Sequence, residues 1–232
     1  MDSNSIKNIL YDIGVDICGI ASIDRFNESP KGFNPVDTLP SCKSVIVFGK
    51  KFLKGTIECK NTVSYTITRN MISNVLDIIS VKFCDILEDK NITAIPIGAI
   101  GPCEFDQNSG RSRSIVSLKH AAVLAGMGYI GKNSLLITPE YGNMVWLNGV
   151  LTNIELESDE IIYDKCPDNC FLCINNCPVN ALKCDDLEMD QRKCWNHAFD
   201  HNFYFTNIKC HKCRTICPKC LGNKNSVHLY FT

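Results

Sequence analysis

Apolar residues recur at helical spacing from Ile6 to Ile13, so the chain is expected to open on a helix. Val45-Ile46-Val47-Phe48 is a short β-rich apolar run behind the turn-like Leu39-Pro40-Ser41, and it reads as a strand. The longest pattern runs from Thr62 to about Glu88, where Ile67, Met71, Val75, Ile78 and Ile79 share one stripe of a helix. Ile92 to Ile97 predicts a return to strand, and Ser117 to Met127 a helix. Leu135-Leu136-Ile137 and Val145 to Leu151 predict two further strands. Residues 1–155 therefore read as a mixed α/β domain that holds a cofactor, with no internal repeat.

The pattern breaks at Glu155-Leu156-Glu157-Ser158-Asp159-Glu160, four acids in six residues. A stretch so short and charged offers no buried face and reads as a linker. Residues 156–232 are short on long apolar runs and rich in cysteine. Such a domain is expected to be held largely by metal–thiolate bonds.

With 232 residues, 45% hydrophobic, and a formal charge of −1, the composition is that of a soluble globular protein. No apolar run approaches the ~20 residues of a membrane helix. The opening Met1-Asp2-Ser3-Asn4-Ser5 has no basic-then-apolar leader, which makes a reducing cytoplasm the expected compartment.

Of the fifteen cysteines, ten lie between Cys166 and Cys220. Cys166-x3-Cys170-x2-Cys173-x3-Cys177-Pro178 forms one run and Cys210-x2-Cys213-x3-Cys217-Pro218 a second, with Cys194 between them. Short gaps wrap three thiolates around one [4Fe–4S] cube, while the cysteine before proline reaches the neighbouring cube. That is the two-cluster ferredoxin arrangement. Crossover assigns Cys166, Cys170, Cys173 and Cys217 to cluster I, and Cys177, Cys194, Cys210 and Cys213 to cluster II. Cys220 lies close enough to compete with Cys217. Zinc usually takes two well-separated pairs, and disulfides suit small secreted domains, so both fit this spacing less well. The scattered Cys18, Cys42, Cys59, Cys84, Cys103 and Cys184 read as small buried hydrophobes. Lys209, Lys212, Arg214, Lys219 and Lys224 crowd the second run, where they would offset cluster charge.

Gly126-Met127-Gly128-Tyr129-Ile130-Gly131 fits the dinucleotide fingerprint in letters only, because the helix precedes the loop and the strand follows it. Gly131-Lys132-Asn133-Ser134 misses a phosphate loop by one residue, with Asn133 where the hydroxyl belongs. Two readings of the loop remain. It is a close-approach surface for a flat ligand, with Lys132 and Asn133 as donors at its rim, or it is a helix cap and tight turn.

Ser117-Leu118-Lys119-His120-Ala121-Ala122, the stretch from Ala125 through the glycine loop to Ile137, Tyr141-Gly142, and Leu151-Thr152-Asn153 resemble the epoxyqueuosine reductase family. Both cysteine runs and Cys194 follow in the family's order, and the match covers roughly residues 43–220. The resemblance implies a nitroreductase-like α/β domain that binds cobalamin, followed by a ferredoxin-like double-cluster domain that feeds electrons to the cobalt. It implies removal of an epoxide oxygen from a modified base in tRNA. It places Gly131, Lys132, Asn133, Ser134, Leu136 and Thr138 in or near the loop and strand that hold the corrinoid.

Two departures stand out. Where the family has its proton-donating aspartate, the ungapped match puts Ser112, and reaching Asp106 or Glu104 needs a gap. Serine does not protonate a leaving oxygen as a carboxylic acid does, so no catalytic residue is assigned. The family's helical-repeat region after the clusters helps hold tRNA, and this sequence stops at Thr232, which makes tRNA a doubtful partner. The expectation is an oxidoreductase that passes electrons from two [4Fe–4S] clusters to a corrinoid, with a ferredoxin or flavodoxin as donor. The alternative is a non-catalytic carrier, or a reductive activator of a corrinoid partner protein.

Overall fold

The computed structural model describes residues 1–101, 103–107, 111–183, 189–200 and 207–225; Cys184 and the side chain of Lys224 lie outside this set. In chain order come α1 (Ser3–Asp12), β1 (Ile17–Ser22), α2 (Pro35–Thr38), β2 (Ser44–Lys51), α3 (Gly55–Glu58), α4 (Thr62–Glu88) and β3 (Ala94–Pro96). Next come β4 (Glu104–Asp106), β5 (Arg111–Arg113), α5 (Leu118–Leu124), β6 (Tyr129–Ile130), β7 (Leu136–Ile137) and β8 (Val145–Thr152). The cysteine-rich part adds α6 (Leu172–Asn175), α7 (Gln191–Ala198), β9 (Phe199–Asp200), β10 (Asn207–Ile208), α8 (Lys212–Thr215) and α9 (Gly222–Asn225). Among the described residues no helix is long and apolar enough to cross a membrane.

Two compact units interleave along the chain. One comprises Met1–Lys50, Met71–Met127 and Trp146–Ile162; the other comprises Lys51–Asn70, Gly128–Val145 and Tyr163–Thr232. A single cut at residue 155 does not follow this division, because the glycine loop and the start of α4 group with the cysteine-rich part.

In the first unit a four-stranded sheet runs in the order β1-β2-β8-β3. β1 pairs antiparallel with β2, with Gly19 opposite Val47, and β3 pairs antiparallel with β8. Val45, Ile46, Val47 and Phe48 are fully buried, so the apolar run of β2 lies inside the unit rather than at its edge. Phe48 meets Phe83 of α4 edge-on, with ring centroids 6.5 Å apart. β1 itself carried no strong sequence signal. Its Gly19 has no room for a side chain, since a Cβ there would lie 2.2 Å from the Ala125 carbonyl oxygen.

Four of the five residues of the stripe read on α4 lie on the exposed face, and the fifth, Ile79, is buried. Ile67, Met71, Val75 and Ile78 are 42–63% exposed, whereas Ile72, Leu76, Ile79, Phe83 and Leu87 are buried. Apolar residues lie on both faces of this helix, and the larger Phe83 and Leu87 lie on the face that packs.

The acidic stretch is no free linker. Leu156 is 5% exposed, and its N–H donates to Ser44 Oγ at 3.1 Å. Ser158 Oγ accepts from the Ser22 N–H at 2.7 Å, and Lys7 pairs with the Asp159 carboxylate. The acids find a lysine and unpaired strand-edge N–H groups, which is why a charged segment lies down on the sheet.

In the second unit, β6 and β7 form a hairpin with Tyr129 opposite Ile137. β9 and β10 pair antiparallel, and α6 packs against α8.

Candidate metal centres

The two cysteine runs fold alike. Cys173 lies in α6 and Cys213 in α8, helices of one turn that each begin one residue after an N-cap, Phe171 or His211, in a bridge-type conformation. Each turn closes on the cysteine before proline: Cys177 N–H donates to the Ile174 carbonyl at 3.1 Å, and Cys217 N–H to the Arg214 carbonyl at 3.3 Å. Cys194 lies in α7, whose N-cap Asp190 accepts from the Lys193 N–H. Every described cysteine is a free thiol.

The electrostatics of the thiols sort them into two groups of four. Burial first, then the charges of Cys217 and Cys166, push the Cys173 thiol up to about 11. Cys217 is pushed up by burial and by Cys166 and Cys170. In the other group, burial and then Cys213, Cys177 and Cys210 push Cys194 up to about 11. Cys213 is raised by burial, drawn back by Arg214, and raised again by Cys210 and Cys177. The Cys220 thiol feels Cys217, but Cys217 is the one coupled to Cys166 and Cys170. Among the described residues no three His, Cys, Asp or Glu side chains converge as the ligands of a single ion do. A cube takes its thiolates on four different irons, so its ligands stand farther apart than those of one zinc.

The glycine loop lies against these runs. Lys132 Nζ donates to the carbonyls of Pro167 at 3.1 Å, Asp168 at 2.9 Å and Cys170 at 3.1 Å, and stands 4.2 Å from the Phe171 ring centroid. The Lys132 N–H points at Cys166 Sγ, 3.5 Å away. Asn133 Nδ2 donates to the Cys213 carbonyl at 3.3 Å, while its Oδ1 accepts the Leu135 N–H at 3.2 Å. Asn133, Ser134, Leu136 and Thr138 are at most 5% exposed. A Cβ on Gly131 would lie 2.5 Å from Ile137 Cδ1 and 2.8 Å from Asn133 Oδ1, so a side chain there would displace both. The rim donors read from sequence are thus turned onto the cysteine runs.

Gly126 fulfils the cap reading. It follows α5 with φ +68°, its N–H reaching the Val123 carbonyl and the Met127 N–H the Ala122 carbonyl, the paired bonds of a Schellman cap.

Aromatic and basic side chains of the second unit support the second run, which sequence reading missed. Tyr65 stacks on His211 with centroids 4.1 Å apart, and Phe52 stacks on Tyr65 at 5.2 Å. Arg214 is 7% exposed, lies 5.5 Å from the Phe52 centroid and donates to the Asn143 carbonyl, while Asn143 Nδ2 returns a bond to the Arg214 carbonyl at 3.2 Å. Lys219 pairs with Asp164 at 3.2 Å. Of the basic cluster, Arg214 is therefore built into the fold, while Lys219 makes an exposed ion pair.

Ser112 lies in β5, in the first unit, and lines a cleft of about 220 Å³ with Phe33, Arg113, Ser114, Ser117 and Lys119. Arg113 is held by Glu104 at 2.8 Å. No described residue lining the cleft carries a carboxylate.

The chain is 36% identical over 108 residues to epoxyqueuosine reductase of Bacillus anthracis, a match covering 42% of this chain and 28% of that one. It is 26% identical over 211 residues to epoxyqueuosine reductase of Atelocyanobacterium thalassa, covering 82% and 63%. The chain is a relative of the epoxyqueuosine reductases.

The matches span less than two thirds of these relatives' lengths. No protein-family model matches the chain. Among solved structures, Bacillus subtilis epoxyqueuosine reductase superposes with a TM-score of 0.65 at 22% identity, covering 98% of this chain and 67% of the other. An epoxyqueuosine reductase with an epoxyqueuosine-modified tRNA-Tyr stem loop gives a TM-score of 0.56 at 21% identity, covering 82% and 55%. A catabolic reductive dehalogenase gives 0.71 at 18% identity, covering 96% and 32%. At these identities the likeness is one of fold, and this epoxyqueuosine reductase-like chain shares its mixed helix-and-sheet fold with two kinds of reductase.

Proposed function

We propose that the chain is an iron–sulfur redox protein that passes single electrons through two [4Fe–4S] clusters to a corrinoid, for a reductive reaction. The observation that carries this reading is that the two cysteine runs fold into like turns, each closing on the cysteine before proline, and pack together through α6 and α8, with Cys217 close to Cys166 and Cys170 and Cys177 close to Cys213. Cys166, Cys170, Cys173 and Cys217 would hold one cube, and Cys177, Cys194, Cys210 and Cys213 the other. When bound, the cubes supply one-electron transfer at potentials set by hydrogen bonds, burial and nearby charge. Cys173 is buried and the other seven ligand cysteines are partly exposed, while Arg214 is turned inward beside the second run, so the thiols would be shielded from water only in part.

The corrinoid draws support from the relatives, and less from the loop. Lys132 uses its ammonium on three carbonyls, and Asn133, Ser134, Leu136 and Thr138 are buried, so these side chains shape the loop rather than line an open face. Contact with a corrinoid there would fall to the main chain. The same observation favours a second reading, a non-catalytic carrier or activator that reduces a corrinoid on a partner protein.

Ser112 can donate a hydrogen bond into its cleft but holds its proton too tightly to serve as a general acid near neutral pH. Transfer of the tRNA substrate from the relatives therefore finds no acid among the described residues that line this cleft. Titrating the reconstituted protein with cobalamin decides between the readings. A visible spectrum shifted toward the form lacking the lower axial base is expected for the reductase. An unchanged spectrum, with both clusters reducible, would overturn it in favour of the carrier.

A further inference from the structure

Lys132 and Asn133 are neighbours in sequence, yet they bond to opposite cysteine runs. The lysine ammonium has three N–H donors, and all three go to main-chain carbonyls of the first run, those of Pro167, Asp168 and Cys170. Its own main-chain N–H is aimed at Cys166 Sγ. Asn133 is 2% exposed and donates to the carbonyl of Cys213 in the second run. Its amide is oriented by the Leu135 N–H on Oδ1, so the loop itself fixes the direction of that donor.

We propose that Lys132 and Asn133 are positioning residues of the two clusters, Lys132 fixing the first run and raising the potential of cluster I, and Asn133 fixing Cys213 in cluster II. This rests on the iron–sulfur reading above. Adding one electron makes a cube one charge more negative and moves no proton. A fixed ammonium beside the ligand loop stabilises that reduced state, as does an N–H donor aimed at a ligand sulfur. Asn133 carries no charge, so its effect is on the geometry and retention of cluster II.

Single-cluster backgrounds separate the two effects: Cys213→Ser leaves cluster I to be measured, and Cys170→Ser leaves cluster II. In the first background, Lys132→Gln is expected to make reduction by dithionite about tenfold less favourable, which for one electron is a fall of about 59 mV. Lys132→Arg, which keeps the charge, is expected to restore most of it. In the second background, Lys132→Gln is expected to leave the potential unchanged, and Asn133→Ala to speed loss of iron to a chelator. If Lys132→Gln destroys cluster I outright, recovery of four irons with Lys132→Arg would support the proposal. Identical behaviour of the Gln and Arg variants would overturn it, and so would an equal effect of Lys132→Gln on both clusters. Failure of the unsubstituted protein to bind iron and sulfide would instead overturn the cluster reading itself.

Discussion

Asp159 and Ile20 exchange two hydrogen bonds: the Asp159 N–H donates to the Ile20 carbonyl at 3.0 Å, and the Ile20 N–H donates to Asp159 Oδ2 at 2.9 Å. The acidic stretch thereby extends the edge of β1, and Arg25 donates to the Asp159 carbonyl at 2.7 Å to close the arrangement. A segment with four acids in six residues becomes structural because the Asp159 carboxylate meets a lysine and a strand-edge N–H while its main chain bonds to β1 and Arg25.

Asp159→Ala is therefore expected to cost about 2 kcal/mol, because it leaves the Ile20 N–H without its acceptor and Lys7 without its partner. Chemical denaturation of the whole protein measures this. Asp159→Asn, which keeps an acceptor oxygen, should cost less than Asp159→Ala. An Asp159→Ala midpoint equal to that of the parent would return the stretch to a linker.

How far sequence reached depended on whether local pattern and packing agreed. α1 and β2 were legible because the apolar residues that mark them are the ones that pack: Ile6 and Leu10 of α1 and Val45 to Phe48 of β2 are buried. α4 was legible as a helix, but its buried face was not. Ile67 and Met71 are as apolar as Ile72 and Leu76, and only the partners Phe48 and the sheet decide which side packs. The cysteine runs were legible by spacing, since ligands of one cube must come from short turns. The loop from Gly131 to Thr138 was legible as a motif of unusual composition, yet the direction of Lys132 and Asn133 was not. Their partners lie 34 to 80 residues away in sequence. The stack of Phe52, Tyr65 and His211 left no local signal for the same reason.

The pH behaviour of the metal-free protein follows from the buried thiols. Cys84, Cys173 and Cys194 are each pushed up to about 11 from the ordinary 9.0, by burial before any other cause. The fold keeps these protons more tightly than the unfolded chain does. Their contribution to stability is thus complete below pH 9 and is lost as pH rises toward 11. Urea midpoints of the apo-protein should fall between about pH 8 and about pH 10.5, and Cys84→Ala should reduce the fall. A midpoint that rises over this range would contradict the assignment.

Ser112 sets an expectation for substrate. With a serine in the cleft where the relatives' acid is matched, turnover of epoxyqueuosine tRNA should be weak or absent. Ser112→Asp should raise any residual turnover while leaving iron content unchanged. Robust turnover by the unsubstituted protein would mean that another group supplies the proton.

The central claim is that two cubes form and that their ligands cross between the runs, and iron and sulfide analysis of paired cysteine variants tests it most directly. Anaerobic reconstitution should give about eight iron and eight sulfide per chain. Cys177→Ser with Cys213→Ser should remove ligands of cluster II alone and leave about four iron, whereas Cys170→Ser with Cys177→Ser should damage both cubes. If the Cys170, Cys177 pair keeps one intact cube, or if the parent binds zinc tightly without sulfide, the crossed double-cluster account is wrong.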